Sequence, residues 1–130
     1  MPEPRSVLLI GVNPEEVDFT DPSLPPGMSA EKIHAGLRRA HALLTEQGYV
    51  SDQCMVSLKG GAQEQIVEAL GRKVYTCVVI GGGVRKPEPN LALFERIINT
   101  VHKHAPGAVI AFNTRPEDSA EAVARVLPKG

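Results

Sequence analysis

The chain has 130 residues, 42% of them hydrophobic and 22% charged, the make-up of one ordinary globular domain large enough to bury a core without staples. A net charge of −1, no Trp, two Tyr and three Phe supply neither the positive field nor the stacking surface that nucleic-acid binding needs. No apolar run nears the ~18 residues of a membrane span, and Leu8-Leu9-Ile10 is too short for a signal-peptide core. A single domain over residues 1–130 is therefore expected, in the cytoplasm, with no nucleic-acid or membrane partner.

Residues 6–12 (Ser-Val-Leu-Leu-Ile-Gly-Val) read as a first buried strand. A proline-rich acidic stretch follows over residues 14–27, longer than most strand-to-helix connections. Glu3, Glu15, Glu16, Asp18 and Asp21 face only Arg5 in the first 28 residues, and the remainder is net positive. The stretch is either an acidic lid over a more basic body or a solvated loop, and Phe19 and Leu24 are the side chains that would pin it down.

Ser29 is a good N-cap for the first helix, with Met28 and Ile33 placed as a hydrophobic staple. Ile33, Leu37, Ala40 and Leu44 form its apolar stripe, and Gly48 supplies its stop. Residues 49–57 alternate weakly and suit an edge strand. Lys59-Gly60-Gly61 turns into a second helix that buries Ile66, Ala69 and Leu70 and ends at Gly71. The β-branched run over residues 74–80 is the third strand, and it stops abruptly at Gly81, Gly82 and Gly83.

Pro87 and Pro89 break the chain before a third helix over residues 90–104, whose apolar arc includes Leu91, Phe94, Ile98 and Val101. Pro106-Gly107 stops it, residues 108–112 form the fourth strand, and Thr114 with Glu117 is read as the capping box of a last helix. Alternating strands and helices mean a parallel sheet covered on both faces. Right-handed crossovers with one reversal give an α/β three-layer sandwich whose four parallel strands run in the flavodoxin-like order 2-1-3-4. In that order Cys54 and Cys77 flank the first strand about 10 Å apart, too far for a disulfide.

Ligands in such sheets bind beyond the carboxyl ends of the strands, where the order reverses. The candidate ligand-binding residues there are Asn13, Asp18 and Asp21 on one side and Gly81, Gly82, Gly83, Arg85 and Lys86 on the other. Asn113 and Arg115 add to them from the loop after the fourth strand. Glycines beside cations suit a phosphate or carboxylate; equally, the glycines serve only close packing. Gly81 to Gly83 lead into Pro87 and Pro89 rather than a helix, and neither G-x-G-x-x-G nor G-x-x-x-x-G-K-[ST] occurs, so no nucleotide or flavin cofactor is expected. No metal site is expected either, because His34 and His41 lack a third ligand by spacing and His102 and His104 suit the negative end of a helix.

Residues 78–84 (Val-Val-Ile-Gly-Gly-Gly-Val) and 105–108 (Ala-Pro-Gly-Ala) resemble a strand end and helix end of SGNH (GDSL-type) hydrolases, over about a third of the chain. That family's chemistry implies a nucleophilic Ser after the first strand and an Asp-x-x-His near the C-terminus. Here those regions read Gly11-Val12-Asn13 and Glu117-Asp118-Ser119-Ala120. The whole chain resembles short bacterial flavodoxin-like proteins of unassigned function through residues 18–22 (Asp-Phe-Thr-Asp-Pro), 80–85 (Ile-Gly-Gly-Gly-Val-Arg) and 111–118 (Ala-Phe-Asn-Thr-Arg-Pro-Glu-Asp). That likeness implies fold and size.

Three readings follow. The first is a binding module for a small anionic ligand, gated by Asp18 or Asp21 pairing with Arg85, Lys86 or Arg115. The second is a divergent hydrolase with a carboxylate of the acidic stretch as base and Asn13 stabilising an oxyanion. The third is a homodimer formed through an edge strand, the acidic stretch or the apolar arc of the third helix.

Overall fold

The computed structural model describes residues 5–127; Glu3, one of the acidic residues at the start of the chain, lies outside them. The strands are β1 (Ser6–Val12), β2 (Val50–Val56), β3 (Cys77–Ile80) and β4 (Val109–Phe112). They form one parallel sheet in the order β2-β1-β3-β4, as the alternation of elements predicts. The helices are α1 (Ala30–Glu46), α2 (Ala62–Leu70), a single turn α3 (Gly82–Arg85), α4 (Leu91–His104) and α5 (Ser119–Val126).

Successive side chains of the two central strands point to opposite faces, so both strands must be apolar throughout. Leu8 and Ile10 of β1 and Val78 and Ile80 of β3 pack with Ile66 of α2 and Ile97 and Val101 of α4. Val7 and Leu9, with Cys77 and Val79, pack against Leu37, Ala40 and Leu44 of α1 and Ala120 and Val123 of α5. The two cysteines are free and buried on either side of β1, opposite Ile10 and Val7. Burial pushes the Cys77 thiol up to about 11.

The Ser29 hydroxyl oxygen accepts from Lys32 N–H and opens α1 as expected. Gly48 follows the helix with φ +88°, a left-handed conformation that favours glycine. Two boundaries differ from the sequence reading by more than one residue. β3 begins at Cys77 rather than residue 74, because its register sets Cys77 opposite Val7 and leaves Val74 beyond the first residue of β1, 92% exposed. The last helix begins at Ser119, not after Thr114, because Pro116–Asp118 forms a 3-10 turn first. Thr114 bonds Asp118 through both its N–H and its hydroxyl, and Glu117 is left out of any capping box.

On α4, Phe94 meets the Phe112 ring at 5.9 Å and Ile98 also packs on the core, while Leu91 is 61% exposed. Leu44 is fully buried in the α1 face of the core. Leu44→Ala is expected to cost about 2–5 kcal/mol in urea unfolding, whereas Val74→Ser should stay within about 0.5 kcal/mol of wild type. Equal effects of the two would contradict this placement of the core.

Candidate functional site

The reversal of strand order lies between β1 and β3, and the loops that leave their carboxyl ends define a mouth. Gly81 N–H donates to the Ile10 carbonyl at 2.8 Å, so β3 stays paired to its last residue. The chain then turns directly into α3, where the sequence reading has the glycines lead into Pro87 and Pro89 rather than a helix. The turn is held from β4. Asn113 is buried, its Oδ1 accepts from Gly82 N–H at 2.9 Å, and its Nδ2 donates to Ser119 Oγ at 2.9 Å. Ser119 passes the chain on by donating to the Pro116 carbonyl at 2.7 Å.

Two cations strengthen the same junction. Arg85 donates to the Asn113 carbonyl at 2.8 Å, and its guanidinium carbon sits 5.9 Å from the centre of the Phe112 ring. Lys86 Nζ donates to the Thr114 carbonyl at 3.1 Å. Only glycine fits at position 82, since a Cβ there would stand 2.8 Å from the Thr114 carbonyl oxygen. One of the three glycines is therefore explained by close approach of two backbones, the packing role the sequence left open.

The acidic stretch divides its side chains between two sides. Asn13 caps a 3-10 turn (Pro14–Glu16) by accepting from Glu15 N–H, and it donates to Glu16. Glu16 in turn accepts from Leu58 N–H and the Ser57 hydroxyl, which ties the stretch to the loop after β2. Asp18 accepts from the hydroxyl and N–H of Thr20, and these bonds hold its carboxyl below the usual carboxylate range. Asp21 accepts from Ser23 in the same way. Val17, Phe19, Leu24, Pro25 and Met28 turn the other way, over the ends of the strands.

Beneath them is a cavity of about 210 Å³. Its floor and walls are Leu9 to Val12 of β1, Met55 of β2, and Ile33 and Leu37 of α1, with Gly81, Gly82 and Gly83 on the far side. The polar lining all comes from the β3 and β4 loops: Lys86, Asn113, Thr114, Arg115 and Glu117. Of the residues singled out in the sequence, the three glycines, Lys86, Asn113 and Arg115 meet around this cavity. Asn13, Asp18, Asp21 and Arg85 are not part of its lining.

The expected gate is not present. The ion pairs among the described residues are His34–Glu15, Arg72–Glu68 and Lys73–Asp52, and none joins Asp18 or Asp21 to Arg85, Lys86 or Arg115. Both carboxylates are already satisfied two residues along their own chain, a local bond that outcompetes a distant cation. Arg85 is turned to the Asn113 carbonyl, and Asn113 spends both ends of its amide on the junction. Their work is to hold the mouth.

Sequence reasoning did not assign Glu117, Met28, Ile33 or Met55 to the site. Glu117 lies over α1, where a Cβ added at Gly36 would fall 2.7 Å from its carboxylate oxygen. The small residue at position 36, facing inward on a helix, was the available signal. No serine, cysteine, histidine or aspartate is among the lining residues, and the Thr114 hydroxyl is engaged by Asp118. His34 bonds Glu15, and His41 bridges Ser51 and Gln53 on β2. No group of three or more His, Cys, Asp or Glu among the described residues could hold a metal ion, and no helix among them is long and apolar enough to cross a membrane.

No family model, curated protein or solved structure matches the chain. The site has to be read from its own chemistry.

Asn113→Ala would leave Gly82 N–H and Ser119 Oγ without their partner in a buried place. It should cost about 1–3 kcal/mol in urea unfolding, and Asp18→Asn or Asp21→Asn should shift the midpoint far less. If Asn113→Ala were as mild as the aspartate changes, the Asn113 junction would not be what holds the mouth.

Proposed function

We propose that this domain binds a small organic anion, with its apolar body inside the cavity and its charged group at the mouth. One observation carries the reading. The cavity is apolar on every wall except that of the β3 and β4 loops, where its charged lining residues gather. Small-molecule sites have this build, with apolar walls for affinity and a few polar groups at one end for orientation.

Volume narrows the ligand. An apolar protein cavity of about 150 Å³ holds one benzene molecule. The 210 Å³ here suits one ring or a short branched chain with a carboxylate attached. Arg115 is exposed and its side chain forms no hydrogen bond or ion pair with the described residues, so its guanidinium is free to take an anion. Lys86 stands nearby with one ammonium proton committed to Thr114 and others to offer. About ten heavy atoms at roughly 0.5 kcal/mol each give an affinity on the order of 0.1 mM.

The first two readings of the sequence differ in what they require of this wall. Binding needs cations and apolar surface, which the lining has. Hydrolysis by the acidic stretch needs Asp18 or Asp21 to reach the cavity, and their bonds to Thr20 and Ser23 hold them elsewhere.

Titration calorimetry with phenylacetate and with benzyl alcohol tests the reading. Phenylacetate should bind in the sub-millimolar to millimolar range and more tightly than the alcohol, and its affinity should fall with added salt because the mouth is exposed. Arg115→Ala should weaken phenylacetate by about fivefold to tenfold and leave the alcohol unchanged. Failure of phenylacetate, hexanoate and similar carboxylates to bind or raise Tm at about 10 mM would overturn the proposal.

A further inference from the structure

The mouth carries both signs of charge, and from this we infer that its ligand is an α-amino acid with an apolar side chain. The inference rests on the binding role proposed above and specifies what the site binds. Arg115 and Glu117 are separated in sequence only by Pro116, and both line the cavity. Neither side chain has an ion-pair or hydrogen-bond partner among the described residues, and they do not pair with each other. Arg115 precedes the 3-10 turn in extended conformation (φ −159°, ψ 161°), and Glu117 lies within the turn against Gly36 of α1. The corner thus holds a cation and an anion apart on one rim.

A plain carboxylate would use only half of this rim. Its negative charge would meet Arg115 and Lys86 but also face the Glu117 carboxylate, a like charge at close quarters. An α-amino acid satisfies both signs. Its carboxylate meets Arg115 and Lys86, its ammonium meets Glu117, and its side chain leaves the same carbon toward the cavity. The walls then select that side chain. Leu9, Ile10, Val17, Phe19, Leu37 and Met55 offer no side-chain partner to a buried hydroxyl, amide or charge, so polar amino acids are rejected. The volume fits leucine, methionine or phenylalanine side chains.

The test compares L-phenylalanine, phenylacetate, phenethylamine and L-serine by calorimetry and thermal shift on the wild type and Glu117→Gln. The glutamine keeps the shape that packs on Gly36, and circular dichroism with Tm checks that the variant folds. L-phenylalanine should bind about tenfold more tightly than phenylacetate or phenethylamine, and L-serine should not bind measurably. Glu117→Gln should weaken L-phenylalanine about tenfold while phenylacetate holds or improves. If phenylacetate binds as tightly as L-phenylalanine and Glu117→Gln changes neither, the amino-acid inference fails while the anion site stands. If none of the four binds, the anion site fails with it.

Discussion

The buried amide of Asn113 is the interaction on which the candidate site depends. A parallel sheet with a strand-order reversal has a crevice at its carboxyl end by topology alone. Topology does not say whether that crevice stays open or collapses under its own loops. Here one side chain bonds the turn after β3 on one side and the start of α5 on the other. Arg85 and Lys86 reinforce it by donating to the backbone of residues 113 and 114. Cations near a ligand cleft are usually read as ligand contacts; Arg85 is instead part of the frame. The frame also brings the backbone at Gly82 closer to the Thr114 carbonyl than any Cβ would allow.

The cover of the cavity follows from a different constraint. Residues 14–27 contain too few apolar side chains for a core of their own, so those few must find cover on the body. Short-range bonds from Asp18 to Thr20 and from Asp21 to Ser23 engage two of its acidic groups, while Glu15 reaches His34 and Glu16 the loop after β2. These acidic side chains bond away from the cavity, and Val17, Phe19, Leu24, Pro25 and Met28 are left to line it from above. An acidic segment thereby makes an apolar roof, and the charged lining comes from the β3 and β4 loops instead.

The fold was largely legible in the chain because its signals are local. Two apolar runs, Ser29 as a cap, Gly48 as a stop and the alternation of elements lead to the observed sheet order. The site was legible in part. Position in the topology was enough to bring Gly81 to Gly83, Lys86, Asn113 and Arg115 to the cavity. It was not enough for Asn13, Asp18, Asp21 and Arg85, whose fate turns on hydrogen-bond competition between near and far partners. Glu117 was misread for a related reason: Thr114 and Glu117 match a capping box, but Pro116 starts a 3-10 turn and Asp118 takes the threonine. The apolar character of the cavity was the least visible feature, since Leu9, Leu37, Met55 and Phe19 come from four separate segments and each alone reads as core.

The most direct measurement is backbone amide chemical-shift mapping by NMR while L-phenylalanine is titrated into the full chain. The account predicts saturable shifts at Gly82, Gly83, Thr114, Arg115 and Glu117, with smaller ones at Phe19 and Leu24 across the roof. Shifts confined to other surfaces, such as the β2 edge around His41 and Gln53, or no saturable shifts at all, would contradict it.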